Sequence, residues 1–204
     1  MFEIIATIAD VAPGEDGDYS AEIDPATLLP WIEAANAAGI YVVIDLQPGR
    51  TDFLTQAQRY ESLLRRPNVG LALDPEWRLK PNQVHLQQIG SVDATEVNAV
   101  GDWLSGLVRS EDLPQKLFLL HQFRLSMLRN ESAIVMDRSE LATVIQMDGQ
   151  GSQAAKDETW SAVTAAAPPG TPFGWKNFYR VDDTLLDPAD TMAKVPTPVL
   201  VSYE

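Results

Sequence analysis

Seven short apolar runs, spread along the whole chain, constrain most strongly what this sequence can fold into. Each run is apolar at consecutive positions rather than at alternate ones, as expected for strands of a parallel sheet that helices cover. Segments with helical periodicity separate most of the runs, and this alternation predicts an α/β fold. The runs are residues 4–9, 41–44, 69–73, 116–120, 142–147, 173–179 and 199–203.

The helical segments carry recognisable start and stop signals. Asp24 and Pro25 precede the first of them and Gly39 follows it, which matches an N-cap, a first-turn proline and a C-terminal glycine. The third begins with Asp93 and Glu96, in the spacing of a capping box. We predict helices over residues 25–38, 52–66, 93–113 and 153–166, and a short helix with a loop over 124–140.

Two architectures fit this order of elements, an open doubly wound sheet and a (β/α)8 barrel. No glycine-rich phosphate loop follows the first run, which disfavours the nucleotide-binding forms of the open sheet. A barrel has about 250 residues and eight strands, whereas this chain has 204 residues and seven runs. A missing first strand accounts for both differences. We therefore predict one domain over residues 1–204, a (β/α)8 TIM-type barrel that is incomplete at its amino end.

Composition and net charge limit the classes of partner and substrate that this chain is expected to bind. A hydrophobic fraction of 45% supplies a substantial core, and 15 Lys and Arg against 29 Asp and Glu give a net charge of −14. Such a field repels phosphate, so we expect neither nucleic acid nor an anionic membrane as partner. The absence of cysteine excludes disulfides, thiolate metal sites and thiol nucleophiles. A small molecule or glycan is the expected substrate, and the oligomeric state stays open.

Membrane spans and signal peptides are recognised by long apolar segments in a sequence. No apolar run reaches the ~18 residues that a membrane span requires, so we predict no membrane insertion. The first residues lack a basic region followed by a long apolar core, so we expect no signal peptide within this chain. Export remains possible if a further segment precedes residue 1, and the localisation stays open.

Polar side chains lie at the end of nearly every predicted strand. The carboxyl ends of barrel strands meet at one mouth, so these side chains are expected to converge whatever their separation in sequence. Acids predominate, and close carboxylates cannot all ionise freely, so their pKa values separate into an acid and a base or nucleophile. We predict catalytic roles for Glu76, Asp74, Asp148 and Asp45, and substrate binding by Asp10, Gln47, Trp77, His121, Gln122, Lys176, Tyr179 and Tyr203.

The segment Asp74-Pro75-Glu76 is the most specific of these strand ends. Two acids at i and i+2 of an extended segment point to one side, so Asp74 can orient Glu76 and raise its proton affinity. Pro75 stiffens the spacing between them. Each acid could instead cap a loop or pair with Arg50, Arg78 or Lys176.

The residues from Leu71 to Glu76 resemble the D-x-E strand end of chitinase-like and lysozyme-like barrel glycosidases. This resemblance implies that Glu76 protonates the leaving oxygen and that Asp74 supports it. It covers about six residues, and two earlier aspartates of the chitinase pattern would fall at Val69 and Ala72, which are not acidic. The resemblance implies a barrel glycosidase in general rather than one family.

Aromatic residues agree with a sugar substrate, because sugar rings stack on exposed aromatic faces. Trp77 and Trp175 are candidates for such stacking, whereas Trp31, Trp103 and Trp160 lie on predicted helices and are expected to pack in the core. We thus predict a carbohydrate-active hydrolase that uses carboxylates as general acid and base and needs no cofactor or metal.

Three other functions remain open. His121 with the strand-end acids could hold Mg²⁺, Mn²⁺ or Ca²⁺ in a metal-dependent hydrolase or lyase, although a single histidine disfavours zinc. Lys176 at a strand end permits a Schiff-base aldolase. Finally, the same mouth could bind a ligand without turning it over.

The other histidine, His85, lies in a predicted loop and is expected to be solvated rather than to bind a metal.

Overall fold

A computed structural model describes residues 1–204. The strands are β1 (Phe2–Ala9), β2 (Ser20–Glu22), β3 (Val42–Leu46), β4 (Val69–Leu73), β5 (Val92–Asp93), β6 (Lys116–His121), β7 (Leu128–Arg129), β8 (Leu141–Met147), β9 (Phe173–Asn177) and β10 (Leu200–Tyr203). The α-helices are α1 (Pro25–Ala37), α2 (Phe53–Arg59), α3 (Glu61–Leu64), α4 (Ala94–Ser110), α5 (Gln153–Ala166) and α6 (Pro188–Met192). All seven predicted apolar runs contain or overlap a strand.

Eight strands form one sheet in the order β10-β9-β8-β6-β4-β3-β1-β2. Seven of these strands, from β1 to β10, follow one another in chain order and form six parallel pairs, whereas β2 is antiparallel to β1. Sequential parallel strands joined by helices are the connectivity of a barrel rather than of a doubly wound sheet, whose strand order reverses at a switch point. β5 and β7 form a separate two-stranded sheet.

The sheet is strongly curled but open. Three strand spacings separate β1 from β6, about 14 Å in a flat sheet, yet His121 Nε2 on β6 lies 2.8 Å from Glu3 Oε1 on β1. Only a curled sheet brings these side chains together across its concave face. β1 and β10 do not pair with each other, so residues 1–204 make a mixed α/β half-barrel. This agrees with the predicted α/β class and strand order, but the full barrel of which the prediction made this chain a part is not shown.

The two faces of the sheet bury different clusters. The helices cover the convex face with a core of 33 buried residues that includes Ile44, Leu71 and Phe118. A small apolar layer fills the floor of the concave face, formed by Val43, Ala72, Leu119 and Val144. Alternate residues of a strand face opposite sides, so the next concave-facing positions toward the carboxyl ends place polar side chains above this apolar floor.

Several local predictions change in the structure. The helix predicted over 52–66 is interrupted at Tyr60, whose hydroxyl lies 2.8 Å from Ala6 O and 2.9 Å from Ile23 O. Asp93 caps α4 as expected, but Glu96 accepts from Phe53 N instead of closing a capping box. The region 124–140 holds β7 and a 3₁₀ turn, Glu131–Ala133, rather than a short α-helix. None of the helices has the length and apolar content required to cross a membrane.

A buried ion pair fixes the segment that follows β9. The side chains of Lys156 on α5 and Asp182 form a hydrogen-bonded pair, and each is 1% exposed. Asp182 also accepts from the backbone N–H groups of Phe178 and Gly151, at 2.9 and 3.2 Å. Lys156 donates a second bond to Lys176 O. One carboxylate thus joins α5, the end of β9 and the loop after β8.

Candidate active site

A cavity of about 1110 Å³ lies over the concave face of the half-barrel, on the side of the strands' carboxyl ends. It extends to the open edge, since residues of both β1 and β10 contribute to its wall. Seven of the twelve predicted site residues line this cavity, although they are far apart in sequence. They are Asp45, Gln47, Asp74, Glu76, Asp148, Lys176 and Tyr203.

His121 lies beneath the cavity wall at the centre of the acidic groups and is 1% exposed. Its Nε2 atom is 2.8 Å from Glu3 Oε1 and 3.9 Å from Asp45 Oδ1. Its Nδ1 atom lies 3.1 Å from Asp148 Oδ2, at an angle that falls short of a well-aligned hydrogen bond. Three carboxylates from three different strands or strand ends therefore surround one imidazole.

Burial and mutual attraction set the charges of this cluster. Burial alone would lower the pKa of His121, but Glu3 and Asp148 outweigh it and hold that pKa well above the usual value. Burial likewise opposes ionisation of Glu3, whereas His121 lowers the pKa of this carboxyl to about 2. For Asp45, burial dominates and raises the pKa to about 6. The cluster without a ligand thus holds an imidazolium–carboxylate pair next to an acid that is readily protonated.

The Asp74-Pro75-Glu76 segment is built differently from the sequence prediction. Residues Pro75–Trp77 form a 3₁₀ turn, and Asp74 Oδ1 accepts from Glu76 N at 3.1 Å. Asp74 therefore positions the backbone of Glu76. The prediction that the two acids lie on one extended segment is wrong, because the chain turns at Pro75. The pKa of Glu76 is raised to about 6, mainly by burial. The negative charge of Asp148 raises this pKa further, whereas the positive charge of Arg124 lowers it. Burial and Asp45 raise the pKa of Asp74 well above its usual value.

Gly90 packs against the backbone of this 3₁₀ turn, and we expect its substitution to destabilise the fold. Gly90 N donates to Glu76 O at 2.7 Å, and an added Cβ would lie 2.5 Å from both Pro75 O and Glu76 O. Because backbone atoms cannot move aside as a flexible side chain does, Gly90→Ala should lower the free energy of unfolding by about 1–3 kcal/mol. Denaturant unfolding measures this change. Gly106→Ala, with nothing within 4 Å of the new Cβ, is the control, and equal stability of both variants would contradict the prediction.

Lys176 on β9 is paired rather than free. Its Nζ atom lies 2.6 Å from Glu204 Oε2. Burial opposes the charged form, but Glu3 and Glu204 outweigh it and raise the pKa of Lys176 above its usual value. A lysine that forms a Schiff base must lose its proton, so this environment opposes the aldolase alternative and fits a cationic substrate-binding group.

Four predicted binding residues, Asp10, Trp77, Gln122 and Tyr179, do not line the cavity. Asp10 is exposed and accepts from Ala12 N within its own loop. The Trp77 ring packs edge-on against His85, at 5.2 Å between ring centroids. Gln122 is buried and donates to Glu131, and Tyr179 stacks on the ring of Tyr203.

Three further predictions are corrected. His85 is 8% exposed and its Nε2 atom lies 2.9 Å from Tyr19 O, so it is not solvated. Trp175 lies fully buried on the convex face against Trp160 and offers no ring to a ligand. Trp31, expected in the core, is 60% exposed and lines the cavity.

The sequence reasoning missed other cavity residues, above all Glu3. This residue lies within β1 rather than at its carboxyl end, so a search of strand ends passes over it. The usable signal is a carboxylate inside an apolar run, which is costly unless the side chain has a partner. The other missed cavity residues include Arg124, Phe178, Ser202 and Glu204.

Comparisons with known proteins assign no family. No protein-family model matches the sequence, and no curated protein matches it. Among solved structures, the chain is similar to wild-type sialic acid aldolase of Ruminococcus gnavus, with 13% identity and a TM-score of 0.32. The match covers 100% of this chain and 52% of the aldolase chain, so the chain spans about half the length of that protein. The glycosidase resemblance of residues 71–76 is not confirmed by these comparisons.

The arrangement offers general acid–base chemistry. Glu76, with a pKa of about 6, can hold a proton near neutral pH and release it to a reacting group. Asp148 lines the same cavity, and after burial its negative charge contributes most to the raised pKa of Glu76. A carboxyl group that can hold a proton and a second carboxyl group on the same cavity are the two groups that general acid–base chemistry requires.

Proposed function

We propose that this chain is a carbohydrate-active hydrolase in which Glu76 is the general acid and Asp148 is the second carboxylate. One observation carries the proposal: Glu76 borders a large cavity together with Asp148, and burial raises its pKa to about 6. An acid with a pKa near the working pH combines correct protonation with effective proton transfer. Asp45 is less suited to the second role because its side chain is buried deeper, with the residue 4% exposed.

Other cavity residues support a polyhydroxylated substrate. Lys176 and Arg124 supply cationic donors, and Gln47 and Ser202 supply further polar groups. Trp31 and Tyr203 expose aromatic surface on the cavity rim, 60% and 40% exposed. Aromatic faces with nearby hydrogen-bonding groups suit the apolar faces and hydroxyls of a sugar ring.

A panel of glycans and aryl glycosides tests the proposal. We expect the wild-type protein to release reducing sugar from at least one substrate, and the Glu76→Gln variant to bind that substrate without releasing product. Calorimetry with the same panel of compounds measures binding separately from hydrolysis. Saturable binding without product from the wild-type protein would show a ligand-binding half-barrel and would contradict the hydrolase proposal.

The pH profile should reflect the proton on Glu76. Burial, and after it Asp148, raise the pKa of this group, while Arg124, His121 and Lys176 lower it, and the resulting pKa is about 6. A general acid works only when protonated, so kcat/KM should fall about tenfold for each pH unit above this value. Initial rates between pH 4 and 9 measure the profile. A rate that instead rises through pH 6 would assign Glu76 as a base.

A further inference from the structure

Three ligand-type atoms converge beneath the cavity, on residues that the proposed acid–base pair does not include. They are the side-chain atoms of Glu3, Asp45 and His121, which lie within 4.8 Å of one another. Two ligands on opposite sides of an ion with bonds of about 2.0–2.4 Å are about 4–5 Å apart, so this spacing admits a bound ion. The three residues come from β1, β3 and β6, which makes the group a product of the curled sheet.

Two buried carboxylate oxygens, one in this group and one beside it, have no hydrogen-bond partner. Asp45 is 4% exposed, and its Oδ1 atom has no hydrogen-bond donor. Asp148 Oδ1 is also buried without a partner. Buried polar atoms are otherwise almost always hydrogen-bonded. Glu3, Asp45 and Asp148 together bring three carboxyl groups to one imidazole, and the nearby Lys176 is already paired with Glu204.

The histidine ring is oriented as in protein metal sites. Nε2 points to Glu3 and Asp45, while Nδ1 lies 3.1 Å from Asp148 Oδ2 on the other side of the ring. A ligating histidine commonly donates its second ring N–H to a carboxylate, which fixes the tautomer and the ring orientation. The Asp148 carboxylate lies in that place, within reach of Nδ1 although the hydrogen bond is not well aligned, so the site has a ligand set and a candidate orienting group.

We propose that Glu3, Asp45 and His121 bind one divalent cation of the Mn²⁺ or Zn²⁺ type at the floor of the cavity. A single histidine on its own disfavours zinc, but the structure adds two carboxylates beside it, and one imidazole nitrogen with two carboxylates suits both ions, whereas Mg²⁺ and Ca²⁺ prefer oxygen ligands alone. The ion neutralises the excess carboxylate charge and occupies the position toward which Asp45 Oδ1 points. Ion binding at this site can be measured without any glycan substrate, so the proposal does not depend on the proposed hydrolase activity.

A second acidic group provides an internal comparison. Asp16, Asp18 and Glu22 also bring carboxylate oxygens close together, but without an imidazole. Asp18 and Glu22 already accept bonds from Thr51 and Gln56, respectively, and Asp16 from the backbone of Asp18. Because no buried side-chain atom of this group lacks a partner, we assign no ion to it.

Calorimetry and native mass spectrometry of the metal-free protein with MnCl2 or ZnCl2 test the proposal. We expect one ion per chain, weaker binding of MgCl2 and CaCl2, and loss of the strong site in Asp45→Asn and His121→Gln. Asp148→Asn should weaken the ion by about 10- to 100-fold, as loss of an orienting partner does elsewhere. Glu22→Gln should retain the site, because it alters the other acidic group.

Anomalous diffraction from wild-type crystals soaked in MnCl2 keeps the test independent of how the variants fold. A peak between the Glu3, Asp45 and His121 side chains would support the proposal. Absence of stoichiometric binding of either ion, or a single strong site that Glu22→Gln removes and Asp45→Asn retains, would overturn it. Failure to find a glycan substrate would leave this result unaffected, so the two proposals fail separately.

Discussion

Glu76→Gln is expected to lower kcat on a natural glycan by about 10²- to 10⁴-fold, the range that general acid catalysis usually contributes. The carboxyl group of Glu76 borders the cavity and carries a raised pKa, and glutamine keeps its size while removing its proton. The steady-state kinetics of the pure variant measure the loss. Because the amide preserves shape, KM should change much less than kcat.

Substrates with different leaving groups distinguish proton donation from mere positioning. An aryl glycoside with an acidic phenol needs little protonation, so the variant should lose far less activity on it than on a glycan. Glu111→Gln is a matched control, since Glu111 pairs with Arg65 at an exposed position. Equal losses on both classes of substrate, or full activity of Glu76→Gln on the glycan, would contradict the assignment of Glu76 as the acid.

Asp182→Ala is expected to lower the free energy of unfolding by about 3–5 kcal/mol. The variant leaves the Lys156 ammonium buried without its counter-ion, and removing one partner of a buried ion pair costs about this much. It also removes the acceptor for the N–H groups of Phe178 and Gly151. Denaturant unfolding followed by circular dichroism measures the change.

Two variants show whether the ion pair causes this loss. Asp183→Ala alters the neighbouring exposed acid and should change stability by no more than about 0.5 kcal/mol. Lys156→Met combined with Asp182→Leu removes both charges and should recover part of the loss, because paired apolar replacements are often tolerated. A double variant less stable than Asp182→Ala would show that packing, rather than an unpaired charge, dominates.

The strands were predictable because their signal is local. Apolar runs such as 69–73 and 142–147 lie in the sheet, and their order along the chain matches their order in it. The carboxyl-end rule then located Asp45, Glu76 and Asp148 on one cavity. The alternating helices were also predictable, and only their boundaries and the Tyr60 interruption differed.

The details of the site were not predictable from local patterns. Glu3 reaches His121 only because the sheet curls across β3 and β4, the two strands that lie between β1 and β6. Asp74 bonds to the backbone of Glu76 because the chain enters a 3₁₀ turn at Pro75. Trp31 and Trp175 exchange their expected environments, since the exposure of an aromatic ring depends on which elements pack over it.

The sequence by itself determined an α/β chain whose parallel strands carry carboxylates at their ends, because strand propensity, periodicity and strand-end position are local properties. Only the tertiary structure decided that the sheet remains open between β1 and β10 and that Glu3, Asp45 and Asp148 surround one buried histidine. Curvature and side-chain convergence depend on contacts between strands that are far apart in sequence, and a single sequence does not encode those contacts in any short pattern.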